Sequence, residues 1–315
     1  MRIWTSSSIL LRETIFKGYI DNTGPLRIGS GREPPFGSLV DLAVIKIPLK
    51  GIETPYIPGS SLKGVFRSYA SNIIKSYSLD ACSGLAKENC IDIKKIFVEE
   101  LGKEMVLRDL IDYYMRNNLS KKAMEFFFNN VCLVCKIFGS SLYKSKVIFS
   151  DAYPLDENNN ILPFKLGMRT GISIDRRIGA VARGALYTVE YVEPGCKFKF
   201  EIRTNNLPNY ALGLLSTIIK MINNGEIRIG GFTTRGFGQV KIENLEIYSK
   251  DMFKESKENI MHSLEENIDG ELNVANISEV KDGWLYFSKN NAWKLIDLLE
   301  GVWNNAINKL KSSKG

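Results

Sequence analysis

Three segments far apart in the chain concentrate hydrogen-bond donors on little side-chain bulk. The first, GGFTTRGFG from Gly230 to Gly238, sets four glycines around Thr233, Thr234, Arg235 and Phe237. Backbone without Cβ atoms can approach a sugar–phosphate chain closely and aim its N–H groups at phosphate oxygens, with arginine adding charge and threonine adding hydroxyl donors. The same glycines would also serve a hairpin turn that needs positive φ. The second, IPGSSLKGVFR, gathers Ser60, Ser61, Lys63 and Arg67 at an expected helix start, where free backbone donors favour an anion. It spells S-x-x-K from Ser60 to Lys63, the nucleophile pattern of penicillin-binding enzymes, but the companion S-D-N and K-T-G motifs are absent from the sequence, which argues against acyl transfer. The third, MRTGISIDRRIGAVARGALYTVE, carries Arg169, Arg176, Arg177 and Arg183 among small and apolar residues. It reads as a basic hairpin, either laid along nucleic acid or simply solvated.

A different chemistry is available to the cysteines. Cys82 and Cys90 form one loose pair, and Cys132-Leu-Val-Cys135 a second with the spacing of a metal clip. Four thiolates suit tetrahedral zinc, which would crosslink a segment with little core of its own; the alternative is that they are core cysteines. Cys196, at a strand start, is expected to be buried and inert. The one histidine, His262, falls in a polar stretch and is expected on the surface, so a histidine-based reaction is not anticipated.

The elements that must position these groups read as mixed α/β. Alternation in the first ~15 residues and in LVDLAVIKI predicts strands, and a helix follows Pro58-Gly59, capped by a serine, with Leu62, Val65, Phe66, Tyr69 and Ile73 on one side. Strands are expected over 146–152, 196–204 and 239–248, an extended hairpin over 164–193, and a helix over 210–223. Their order approximates βαββαβ. Residues 79–130 are charged and read as inserted helical pieces, 250–280 as a linker or exposed helix, and 292–310 as an amphipathic terminal helix.

Composition agrees with a folded, water-soluble chain of 315 residues: 44% hydrophobic, 24% charged, with no secretory leader and no apolar run of membrane-spanning length. Cytoplasmic residence and no membrane partner are expected. Lysine and arginine total 42 against 35 acids, an excess that favours a polyanionic partner.

Taken together, IPGSSLKG, CLVCKIFGS, RTGISIDR and GGFTTRGFGQVKI, in this order, resemble the repeat-associated mysterious protein (RAMP) superfamily, and within it the backbone subunits of type III CRISPR effector complexes. The likeness runs over roughly residues 1–248. It implies an α+β fold: a ferredoxin-like, RNA-recognition-motif-like palm (1–78 and 131–248), an inserted helical lid (79–130) and a thumb hairpin (about 164–193), followed by a C-terminal extension (249–315). It further implies stacking of subunits along a guide RNA, with target RNA and neighbouring subunits as partners. In GSLVDLAVIKIP, Asp41 occupies the place of the aspartate with which the family cuts target RNA, although Ala43 stands where proline is common. Such a carboxylate could orient a ribose 2′-hydroxyl, accept its proton or hold magnesium or another divalent ion; it could also merely end a strand. Arg27 and Lys46, close by in sequence, are expected to meet RNA and neutralise the transition state. Two alternatives remain: a non-cleaving subunit of the same assembly, and a stand-alone nuclease that processes guide precursors.

Overall fold

The computed structural model describes residues 4–6, 8–29, 31, 40–85, 87–175, 180–253 and 259–312. In chain order its elements are β1 (Arg12–Asn22), β2 (Lys46–Leu49), β3 (Ile52–Pro55), α1 (Gly59–Ser76), α2 (Cys90–Ile93), β4 (Lys95–Val98), β5 (Lys103–Val106), α3 (Leu107–Arg116), α4 (Ser120–Asn130), α5 (Leu133–Phe138), β6 (Val147–Phe149), β7 (Leu166–Asp175), β8 (Ala180–Val192), β9 (Lys197–Asn205), α6 (Asn209–Asn223), β10 (Val240–Asp251), β11 (Ile260–Met261), β12 (Leu272–Asn273), β13 (Glu279–Lys281), β14 (Trp284–Ser288) and α7 (Lys289–Ser312).

A six-stranded antiparallel sheet in the order β13-β14-β10-β1-β9-β6 carries the fold. Alternation along β1 and β9 explains it. Phe16, Ile20, Phe198, Phe200 and Ile202 point into a core built with α1 and α6, while Glu13, Lys17, Lys199, Glu201 and Arg203 point the other way. That outer face is laced with ion pairs: Lys17–Glu201, Lys197–Glu243, Lys199–Glu157 and Arg203–Glu13. These four cations are already matched by carboxylates, which makes this part of the face a poor platform for a polyanion.

The expected serine cap on α1 is not made. Neither serine side chain bonds the helix start; instead the Gly59 N–H donates to Asp151 Oδ1 at 2.7 Å. Gly59 is needed there because a Cβ would fall 2.2 Å from the Phe149 carbonyl oxygen. The segment 79–130, read as helical, also contains the β4–β5 hairpin, and it has a small core of its own in Val98, Leu110, Tyr114 and Ala123.

The described part of 250–280 is neither a free linker nor an exposed helix: it carries β11 and β12 and packs against the core. His262, expected at the surface, is 3% exposed. Its Nδ1 lies 3.0 Å from Asp251 Oδ2, and Asp251 in turn receives Arg12 Nη2 at 3.0 Å inside the core. Arg12 also donates to the His262 carbonyl and to Asn209. Part of the polar composition of the segment, Asp251, His262 and Asp269, thus belongs to buried, hydrogen-bonded groups rather than to a solvated face. Burial raises the Asp251 carboxyl, but the charge and hydrogen bonds of Arg12 outweigh it and hold the group below its ordinary 3.8. The stability it contributes is therefore present above pH 3.8 and is lost as pH falls through the lower folded value. Asp251→Ala strands a buried guanidinium and is expected to cost about 3–5 kcal/mol, read as a lower urea midpoint at neutral pH. An unchanged midpoint would mean that the network carries no stability.

Candidate nucleic-acid interface

Two of the three donor-bearing segments meet. The β7–β8 hairpin packs against the glycine-rich loop, and the chain around Arg27 and Asp41 closes the group. The Gly171–Tyr187 and Gly167–Tyr191 pairs explain how. A Cβ at either glycine would sit inside the opposite tyrosine ring, so both rings lie flat across the hairpin. Tyr187 then stacks toward Phe232 with ring centres 6.4 Å apart, and Tyr191 meets Phe237 edge-on at 5.6 Å.

Arginines sit over these rings. Arg27 and Arg235 each lie 5.3 Å from the centre of Phe232, and Arg169 lies 6.0 Å from that of Phe237. Arg235 Nη1 also donates to Tyr187 Oη at 2.8 Å. Among the described residues neither Arg27 nor Arg235 has a carboxylate partner, and burial lowers the pKa of the Arg27 guanidinium from its ordinary value. Both charges are thus left for an external anion.

Geometry accounts for much of the glycine content of the loop. Gly230, Gly236 and Gly238 all have positive φ, and a Cβ at Gly238 would lie 2.3 Å from the Ile229 carbonyl oxygen. Phe232 adopts φ of 58°, a conformation bulky residues avoid, and it does so with its ring beneath two guanidinium groups. Thr233, Thr234 and Arg235 form a short 3-10 turn whose outer residues, Thr234 and Arg235, are exposed. Phe237, expected to meet RNA, is a correction: at 3% exposure its ring is packed under Tyr191 and has no face left for a base. Phe232, Tyr187, Tyr191 and Arg228, whose Nη1 holds the Thr233 carbonyl, were not singled out from the sequence.

Asp41 is exposed and lies beside β8. Its Oδ2 accepts the Thr188 N–H at 2.6 Å, and its own N–H donates to the Thr188 carbonyl. This fixes the carboxylate beside Tyr187 while Oδ1 has no hydrogen-bond partner among the described residues. Lys46 is less free than expected, because its ammonium pairs with Glu190 at 2.7 Å and Glu190 also accepts the Val44 N–H. Arg176 and Arg177 lie outside the described residues; the side chain of Arg183 does too.

The third segment has other neighbours. Lys63 and Arg67, one turn apart on α1, line an open hollow of about 490 Å³ with Ser140, Ser141 and Lys144. Burial, and Arg67 beside it, lower the pKa of the Lys63 ammonium. Ser60 is exposed and Ser61 half-buried at the start of the helix.

Beyond that hollow the four paired cysteines converge, with all four sulfurs within 4.8 Å of one another. Cys82 comes from the loop after α1, Cys90 opens α2, Cys132 precedes α5 and Cys135 lies within it. Cys82 Sγ stands 3.2 Å from Cys135 Sγ and 3.7 Å from Cys132 Sγ. A tetrahedral zinc with bonds of about 2.3 Å needs sulfur–sulfur edges of about 3.8 Å, so the donor set fits such an ion. Hydrogen bonds from Cys132 and the other thiols hold Cys82 far below the usual thiol range, while the same crowding pushes Cys135 far above it. Cys196 is buried apart from the cluster, and burial raises its thiol to about 12, as an inert core cysteine requires.

The sequence pattern of the RAMP superfamily matches residues 19–241, and the chain belongs to that superfamily. A relative from Methanocaldococcus jannaschii, named CRISPR system Cms endoribonuclease Csm3, is 31% identical over 127 residues. That match covers 38% of this chain and 50% of the relative, so the chain spans about half the length of the relative it matches. No helix among the described residues is long and apolar enough to cross a membrane.

Proposed function

We propose that this chain is an RNA-binding backbone subunit of a type III CRISPR ribonucleoprotein, and that it cuts RNA paired with its guide. The observation that carries the reading is the cluster of uncompensated arginines and aromatic rings between the β7–β8 hairpin and the Gly230–Gly238 loop, with the Asp41 carboxylate anchored at its edge. Guanidinium groups over stacked rings offer phosphate charge and base-stacking contact together, which suits a single strand gripped without sequence readout.

Within this reading β1, α1, β6, β9, α6 and β10 form a ferredoxin-like palm, supported by the chain order βαββαβ and the spatial order β10-β1-β9-β6. The β7–β8 hairpin is the thumb, 79–130 the lid and 249–315 an extension that widens the sheet by β14 and β13. Guide RNA, target RNA and further subunits, copies of this chain included, are its partners.

Asp41 takes the proton of a target ribose 2′-hydroxyl through the oxygen that Thr188 leaves unoccupied. The 2′ oxygen then bonds to the adjacent phosphorus as the P–O5′ bond breaks and the departing 5′ oxygen takes a proton from water, leaving a 2′,3′-cyclic phosphate and a 5′-hydroxyl. Among the described residues the only cluster of three or more metal-binding side chains is that of the cysteines. A magnesium ion held by the Asp41 carboxylate could complete its shell with phosphate oxygens and water, an arrangement magnesium accepts; it would supply charge neutralisation. The cysteine cluster holds zinc as a structural clip for the lid.

RNA affinity tests the reading. Replacing Arg27 and Arg235 by glutamine should flatten the plot of log affinity against log salt by about 0.7 per lost phosphate contact on single-stranded RNA. A slope equal to that of the wild type would remove this surface from the interface. A chain that cuts precursor RNA alone at discrete sites would instead favour the processing role.

A further inference from the structure

We infer that Arg67 is a positioning residue for the four-thiolate centre rather than a phosphate contact; this rests on the metal reading above. Expected from sequence to grip RNA beside Lys63, its guanidinium turns inward from α1. Nη1 donates to the Gly139 carbonyl at 2.9 Å, where α5 ends, and Nη2 donates toward Cys135 Sγ at 3.8 Å. Nε is buried and has no hydrogen-bond partner among the described residues. Gly84, two residues past Cys82, lies flush against the same group: a Cβ there would fall 2.0 Å from Nη2.

One side chain thus touches three of the pieces that bring sulfurs together: the helix before Cys82, the loop between Cys82 and Cys90, and the helix containing Cys135. A divalent ion with four thiolates carries excess negative charge in a half-buried place, and a guanidinium donating to one sulfur offsets it. The Gly139 bond fixes the end of α5, and with it the direction from which Cys135 presents its sulfur. Two of the fork's nitrogens are already committed within the protein, which leaves little of it to hold a phosphate.

Cobalt(II) replaces zinc with a visible spectrum, so the full-length protein can be loaded with cobalt and compared with Arg67→Gln and Arg67→Lys, each first shown to be folded by circular dichroism. In chelator competition, Arg67→Gln should bind metal about 10- to 100-fold more weakly. Its sulfur-to-cobalt charge-transfer band should move to lower energy, because the thiolate has lost a donor. Arg67→Lys, which can reach one partner but not both, should fall between. Wild-type affinity and band position in both variants would overturn the inference while leaving the metal site standing. A wild-type protein that takes up no metal would overturn the four-thiolate reading itself, and this inference with it. RNA affinity of the metal-loaded Arg67→Gln protein should match the wild type; a loss of RNA affinity at unchanged metal affinity would restore Arg67 as a phosphate contact.

Discussion

Asp41→Asn is expected to lower cleavage of guide-paired RNA by about a hundred- to ten-thousand-fold, the usual contribution of a positioned general base, while guide binding is retained. Asparagine can still accept the Thr188 N–H through its carbonyl oxygen, so the seat beside the thumb strand is preserved and only the charge and basicity are lost. Asp41→Ala removes that anchor as well. It should match the asparagine variant in cleavage and additionally raise hydrogen exchange at Thr188, because one side-chain acceptor at the hairpin base is gone. Measured on the assembled ribonucleoprotein with radiolabelled target, full cleavage by Asp41→Asn would return the chain to the non-cleaving alternative. The end groups are a second readout of the same claim: a cyclic phosphate marks attack by the neighbouring 2′ oxygen, whereas a 3′-hydroxyl would mean that water is the nucleophile.

A large effect on stability is also expected from loss of the metal clip. Cys135 is fully buried and Cys132 nearly so, and the lid they brace has only a small separate core, Val98, Leu110, Tyr114 and Ala123. Metal analysis of the protein should find about one zinc per chain. With free ion at a thousandfold excess over Kd, the ion contributes about 4 kcal/mol to the folded state, so stripping it with a chelator should lower the melting temperature. Proteolytic cuts should then appear first within 79–130. Cys135→Ser should reproduce both changes. Because the sulfurs must be ionised to bind, metal should be released as pH falls, and the fall in melting temperature on acidification should be steeper with metal than without. A chelated protein that melts unchanged would show the four thiols to be plain core cysteines.

Much of this was written in the sequence, unevenly. Periodicities of α1, β9 and β10 were legible because each buries one regular face, and α6 through its long apolar run, which is buried on nearly all sides. The four cysteines could be paired from spacing, but their convergence required knowing that the loop after α1 returns to α5. His262 misled because a satisfied buried polar network has the composition of a surface. Tyr187 and Tyr191 stand opposite Gly171 and Gly167, a pairing that depends on hairpin register and that no local pattern in the chain displays. Phe237 went astray differently, and Arg67 has partners within the protein that its position in the sequence does not disclose. Residue type and neighbourhood suggested contact with RNA, yet Arg67 turns inward toward Gly139 and Cys135, while Phe237 is sealed beneath Tyr191.

Ultraviolet crosslinking of the purified protein to single-stranded RNA, with the modified peptides sequenced, tests most directly where the strand is held. Crosslinks should fall on the peptides that carry Phe232 and Tyr187, whose rings lie among the uncompensated arginines. Crosslinks confined to Tyr19, Tyr248 and Tyr286 would place RNA on the ion-paired outer face of the sheet and contradict the interface described above.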